Sequence, residues 1–292
     1  MVSKNVKNMN LYHISNSGVY IPKMIYGTAW KKENTTDLVI RSIKNGFRGL
    51  DTACQPKHYR EDLVGKALNE VFKDNIINRE ELFIQTKFTS LDGQDPNKIP
   101  YNKNSKLSDQ VKESVNKSLE NLQIEYIDSL LLHSPMKTHK DTLTVYSVLE
   151  EFVEKGKIKQ LGISNIYDID SLKSIYDSVK IKPSVIQNRF YSDSNFDVEI
   201  RKFCIINKII YQSFWTLTAN PSILKCKLFK ELSFEKKLSS EQIMYKFMNQ
   251  INVSVLNGTT NENHMIDDLK ILEIEDFDEK SLNSFKKMIG DL

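Results

Sequence analysis

Asp51, Lys87, His133, Ser164, Asn165 and Gln187 are polar side chains that stand at or near the ends of apolar runs in this 292-residue chain. An aspartate beside a lysine makes an ion pair, and its ammonium can stabilise the anion of a neighbouring proton donor. Tyr59, within CQPKHYREDLVGKAL, is the natural donor. A phenol with a pKa of about 10 is a poor acid near neutrality unless a cation supports the phenolate. Each residue also has an ordinary use. Asp51 suits a turn cap, Lys87 a solvent-reaching cation, His133 a hydrogen-bonded wall and Tyr59 a loop. The case for chemistry rests on their convergence, which depends on the elements that carry them.

Those elements alternate between β-rich runs and amphipathic helical stretches. After an opening segment at 11–22, with a hairpin turn expected at Asn16–Gly18, strands are expected at 24–29 (MIYGTA), 48–53 (RGLDTA), 82–87 (LFIQTK) and 126–133 (YIDSLLLH). Four more follow at 159–165 (KQLGISN), 184–190 (SVIQNRF), 209–214 (IIYQSF) and 253–258 (VSVLNG). Their nearly continuous apolar character suits strands covered by helices. Between them, Thr36 and Ser108 read as helix caps, Gly46 and Gly156 as helix stops, and Ser239 with Gln242 as a capping box. Right-handed β-then-α units close most naturally into a (β/α)8 barrel, with a doubly wound open sheet as the alternative. One such barrel spends about 250 residues, so residues 1–292 are expected to form a single domain with a short N-terminal hairpin. In a barrel, the polar residues at strand ends share one mouth.

The long connection 89–107 (TSLDGQDPNKIPYNKNSKL) follows the third strand, and is therefore expected to wall the substrate pocket. Composition narrows the class. The 41 basic and 38 acidic residues leave a net charge of +3, with lysines interspersed among acids, so no nucleic-acid partner is expected. The three cysteines, Cys54, Cys204 and Cys226, form neither a CxxC nor an even disulfide set. No apolar leader or membrane-length run is visible, and a cytoplasmic location is the expectation. Oligomeric state is not legible.

The stretch GFRGLDTA, followed by Tyr59 and VGKAL, resembles the aldo-keto reductases. The likeness continues through GTAW at 27–30, IQTKF around Lys87, YIDSLLLHSP around His133, GKIKQLGISN around Asn165, and Gln187. The resemblance implies a TIM barrel that transfers hydride from NADP(H), possibly NAD(H), to a small-molecule aldehyde or ketone without a metal. It makes Tyr59 the proton donor, Asp51 and Lys87 the pair that lowers its pKa, and His133 the residue that orients the carbonyl. It assigns Ser164, Asn165 and Gln187 to the nicotinamide carboxamide, and adds Thr28 and Asp268 to the cofactor set. Trp30, Phe88, Tyr101 and Trp215 are candidate pocket walls, suited to an apolar or aromatic carbonyl compound.

Several stretches depart from the family pattern. Gln-Pro-Lys-His makes the path from Asp51 to Tyr59 three residues longer than usual. The seventh strand reads YQSFWTL, which puts Gln212 where the family stacks a tyrosine on nicotinamide, beside a matched Ser213, with Phe214 or Trp215 as aromatic substitutes. The eighth leads into NGTTNENHM. Family members that prefer NADPH hold its 2′-phosphate with a lysine and an arginine, and here those positions fall on Gly258 and His264. Thr259, Thr260 and Asn261 would then offer hydroxyls, an amide and free backbone N–H groups at a helix start. Weak discrimination between the coenzymes is the expectation, unless Lys225 or Lys227 replaces the missing charge. Two other functions are compatible with the sequence. One is a cofactor-binding regulatory subunit without turnover, a role known from potassium-channel β subunits that resemble this family. The other is a metal-dependent hydrolase built on Asp51, His58 and His133, although the five histidines show no HxH or HExxH spacing.

Overall fold

A computed structural model describes residues 9–292. Two short antiparallel strands, β1 (Tyr12–Ile14) and β2 (Tyr20–Pro22), form the opening hairpin, which turns through Gly18 at φ +77°. Eight parallel strands follow: β3 (Met24–Gly27), β4 (Gly49–Asp51), β5 (Phe83–Phe88), β6 (Ser129–Leu132), β7 (Leu161–Ser164), β8 (Val185–Arg189), β9 (Ile210–Phe214) and β10 (Val253–Asn257). They close into one barrel, with β10 lying between β9 and β3 and Val255 opposite Met24. Several runs read from sequence extend beyond their strands, because the flanking residues leave the ladder. Ile127 and Ile158, for example, keep only an isolated bridge.

The outer layer holds α1 (Thr35–Lys44), α2 (Glu61–Lys73), α3 (Leu107–Leu122), α4 (His139–Glu154), α5 (Ile169–Ser178) and α6 (Val198–Ile206). It continues through α7 (Pro221–Leu224), α8 (Lys227–Lys236), α9 (Ser240–Gln250), α10 (Glu262–Leu269) and α11 (Glu279–Met288). The capping box of Ser239 and Gln242 starts α9 as its spacing indicates. Two other caps differ from expectation. Asn34 caps α1, with Thr36 inside the helix donating to the Leu63 carbonyl, and Lys106 rather than Ser108 precedes α3. Gly65 within VGKAL lies where α2 crosses the end of α3. A Cβ there would sit 1.9 Å from the Asn121 carbonyl oxygen, so this part of the motif serves packing.

Side chains alternate between the inside of the barrel and the helix layer. Ile25, Phe83, Leu131, Val185 and Ile210 point inward and form an apolar floor, against which Ile21 of the hairpin packs. Two residues further along their strands, Gln85, Gln187 and Gln212 make a polar layer, together with Asp51. Lys87, two beyond Gln85, stands above it. Outward-facing residues, among them Leu50, Ile84, Phe88, Leu130, Leu132 and Ile186, join the main core beneath the helices. The hairpin closes the amino-terminal end. Ser15 donates to Gln160 at 2.6 Å, Ser17 meets Ser184 at 2.6 Å, and Asn16 reaches the Pro183 carbonyl at 2.9 Å. The chemistry-bearing residues are thus left at the open, carboxyl end.

Candidate active site

Asp51 closes β4 and Lys87 stands late in β5, so both point into the barrel. Their charged groups meet at 2.6 Å with almost no solvent exposure. Lys87 also donates to the Thr52 carbonyl at 2.9 Å. The other Asp51 oxygen accepts from Gln85 at 2.8 Å and from Gln187 at 3.0 Å, and both amides donate to Gln212 Oε1 at 2.7 and 2.9 Å. A buried ion pair is kept only when its remaining hydrogen-bonding capacity is met, and the glutamine layer meets it. Burial pulls the Lys87 ammonium below its usual range, while Asp51 opposes that shift.

Tyr59 returns to the mouth through the added residues. Gln55–His58 form a tight turn, in which the His58 and Tyr59 N–H groups both donate to the Gln55 carbonyl. The Gln55 side chain ties that turn to the Gly93 carbonyl at 2.6 Å. The Tyr59 ring lies edge-on to His133, with centroids 6.1 Å apart, and the Lys87 ammonium is 5.3 Å from its centroid. Burial, reinforced by Asp51, pushes the phenol up. The phenol of the free protein thus lies above its ordinary range, not below it.

His133 Nδ1 lies 2.6 Å from the Thr89 hydroxyl, a partner the sequence analysis did not single out. Burial, with Lys87 and His58 nearby, lowers the imidazole to about 3, so the ring is neutral at ordinary pH. Asn165 adopts a left-handed backbone, φ +53°, and its amide donates to the His133 carbonyl at 2.9 Å. The Ser164 hydroxyl donates to the Gln187 carbonyl at 2.8 Å.

These groups open onto a cavity of about 1070 Å³. Of the candidate residues, Trp30, Asp51, Tyr59, His133, Ser164, Asn165, Gln187, Trp215, Gly258, Thr259, His264 and Asp268 line it. Lys87 lies just below the surface. Thr28 is fully buried, donating to the Asp51 carbonyl at 2.9 Å, and Ser213 faces Thr216 at 2.7 Å. Gln212 is fully buried in the barrel layer, in register with Gln187, and is not among the residues that line the cavity. Phe214, two residues on, is the aromatic of β9 that reaches the cavity.

Phe88 and Tyr101 do not line the cavity, contrary to expectation. Phe88 follows the inward Lys87 and therefore points outward, where it packs on Tyr101 with centroids 5.9 Å apart. The connection 89–107 does not wall the main cavity either. Tyr101 and Gln94 bind the Thr89 carbonyl, and Lys98, Ile99 and Pro100 line a separate cavity of about 410 Å³ behind Tyr59.

After β10, two of the three expected free donors, the N–H groups of Thr259 and Asn261, are engaged internally. The N–H groups of Thr259, Asn261 and Asn263 donate to Asn257 Oδ1, Thr259 Oγ1 and Asn261 Oδ1 at 2.9, 3.1 and 2.9 Å. Thr260 and Asn261 are exposed beyond the lining. Asp268 accepts from Asn257 at 2.7 Å, and burial raises its carboxyl to about 6. His58, Arg189 and Lys31 also line the cavity. Arg189 was legible from strand parity with Gln187.

Residues 23–211 match the model of the Aldo/keto reductase family, and the chain belongs to that family. It is 28% identical to glyoxal reductase of Bacillus subtilis, over 89% of this chain and 86% of that protein. Its identity to the NAD(P)H-dependent D-xylose reductase of Pachysolen tannophilus is 25%, over 92% of each chain. Among solved structures, an aldo-keto reductase of the silkworm Bombyx mori complexed with NADPH superposes with a TM-score of 0.78 at 20% identity, covering 94% of this chain and 86% of that one.

Proposed function

We propose that this protein reduces an aldehyde or ketone to an alcohol, with a reduced nicotinamide dinucleotide as hydride donor and Tyr59 as proton donor. The observation that carries this reading is the buried Asp51–Lys87 pair set directly beneath Tyr59 and His133 at the cavity mouth. The cavity also suits such a coenzyme. It holds about 1070 Å³, and Ser164, Asn165, Gln187, Phe214 and Trp215 are among the residues that line it. When bound, the coenzyme supplies the hydride that adds to the carbonyl carbon.

The protein's own groups handle the oxygen. Because the Tyr59 phenol is held up by burial, it stays protonated at neutral pH and is a loaded acid. Its proton passes to the carbonyl oxygen as that atom gains charge, and the nearby Lys87 ammonium supports the phenolate left behind. His133 is neutral. In the tautomer whose Nδ1 accepts from the Thr89 hydroxyl, Nε2–H is left to donate to the same oxygen. Trp30, His58 and Trp215 line the same cavity, which suits an apolar or aromatic carbonyl compound.

Tyr59→Phe removes only the hydroxyl. Reduction is expected to fall by roughly two or more orders of magnitude, the range of general acid catalysis, with coenzyme binding retained. A Tyr59→Phe protein that reduces carbonyls at near wild-type rate would show that another group donates the proton.

A further inference from the structure

Five of the protein's six arginines are tied down by carboxylates or backbone carbonyls. Arg41, Arg60, Arg79 and Arg201 pair with Asp37, Asp62, Asp128 and Asp291, and Arg48 donates to the Ile43 and Phe47 carbonyls. Arg189 differs. Among the described residues its guanidinium has no carboxylate partner and donates to no acceptor, although it lines the main cavity.

Aromatic rings set its place instead. The guanidinium carbon lies 4.3 Å from the Trp215 ring centroid and 5.1 Å from that of Tyr191, within the range of cation–π contact. Tyr191 meets Tyr167 edge-on at 6.3 Å, and the Tyr167 hydroxyl accepts from the Arg189 backbone N–H at 3.1 Å. Trp215 presents its ring from a left-handed backbone, φ +54°, a conformation that bulky residues seldom adopt. Stacking occupies the faces of a guanidinium and leaves its edge donors free. Those donors match the two oxygens of a carboxylate.

Strand parity says what reaches them. Arg189 is two residues beyond Gln187 on β8 and opposite Phe214 of β9, so it stands on the same face as Gln187, about 7 Å nearer the mouth. With nicotinamide beside Gln187, a carbonyl compound lying between that ring and Tyr59 extends outward past Arg189. The reduced nicotinamide ring is neutral and offers the guanidinium no counter-charge. Asp51, Asp267 and Asp268 of the cavity lining are engaged by Lys87, Lys270 and Asn257, and Glu241 belongs to the first turn of α9.

We infer that Arg189 binds a carboxylate on the substrate, so that the preferred substrate is an apolar or aromatic aldehyde or ketone with an acid group remote from the reacting carbonyl. The assignment rests on the reductase reading above.

The test compares kcat/KM for benzaldehydes that carry a carboxylate directly on the ring, meta or para, or on a para methylene arm, each beside its methyl ester. It uses the full-length protein with saturating reduced coenzyme. At least one acid is expected to exceed its ester by about tenfold or more, mainly through KM. Arg189→Met removes that preference, and Arg189→Lys, which keeps the charge without the fork, recovers part of it. A residue that merely braced the cavity would lower acid and ester alike and leave their ratio intact. No acid preference in the wild type, or one that survives Arg189→Met, overturns the assignment alone. An unchanged ratio with weaker coenzyme binding in Arg189→Met overturns it too, and would put the guanidinium on the coenzyme. Coenzyme oxidation with none of the acids or esters overturns the reductase reading, and the assignment with it.

Discussion

At the scale of single residues, the proposed mechanism makes Tyr59, Lys87 and Asp51 one unit, because in it the tyrosine's phenolate needs the ammonium and the ammonium needs the carboxylate. Members of such a unit are not additive. Lys87→Met should therefore cost about as much in kcat as Tyr59→Phe, and the double variant little more than either. Multiplicative losses in single-turnover measurements would show that the two residues act separately. His133 gives a pH prediction whose sign follows from its lowered imidazole. The folded protein refuses a proton that the unfolded chain accepts below about pH 6.5, so its contribution opposes folding as pH falls. Wild type should lose about 1–2 kcal/mol relative to His133→Asn between pH 7 and pH 5. Denaturant titrations of both proteins measure this, and comparing them cancels the other titrating groups. A constant gap would mean that His133 titrates normally.

At the scale of elements, strand parity explains both what the sequence disclosed and what it concealed. Asp51, Lys87, His133 and Gln187 stood out because each is polar and ends an apolar run. Phe88 was misplaced because neighbouring residues on a strand face opposite layers, and one step in sequence exchanges cavity for core. Gln85 and Gln212 drew no notice as partners because their meeting depends on barrel closure, which brings β5 and β9 face to face across the interior. Gln212→Ala should deprive the Gln85 and Gln187 amides of a shared acceptor, at about 1–3 kcal/mol for each buried group left unsatisfied. The expected outcome is a lower thermal midpoint together with a lower kcat, since both amides also hold Asp51. A variant with wild-type stability and rate would remove the glutamine layer from the account. The connection 89–107 changes role in a similar way. With Tyr101 buried and bonded to Thr89, deleting 92–103 should lower stability more than it alters substrate preference. Thermal melts and a substrate panel on the deletion protein would show the reverse if the segment were a detachable pocket wall.

At the scale of the whole molecule, the barrel was legible because eight apolar runs and their intervening amphipathic stretches leave few other closures. The floor was less so. That the opening hairpin plugs the amino-terminal end follows from bonds to Gln160, Pro183 and Ser184, residues far away in sequence. Closing that end leaves a single working mouth, where the ion pair, Tyr59, His133 and the long cavity coincide. The same arrangement would serve a protein that binds a nicotinamide coenzyme and turns nothing over, so binding alone does not establish catalysis. The direct measurement is the loss of reduced-nicotinamide absorbance when purified protein meets a panel of apolar and aromatic aldehydes and ketones, with the alcohol product quantified alongside. The account predicts turnover with one alcohol formed per coenzyme oxidised, abolished to background in Tyr59→Phe. Tight coenzyme binding with no oxidation across the panel would contradict it.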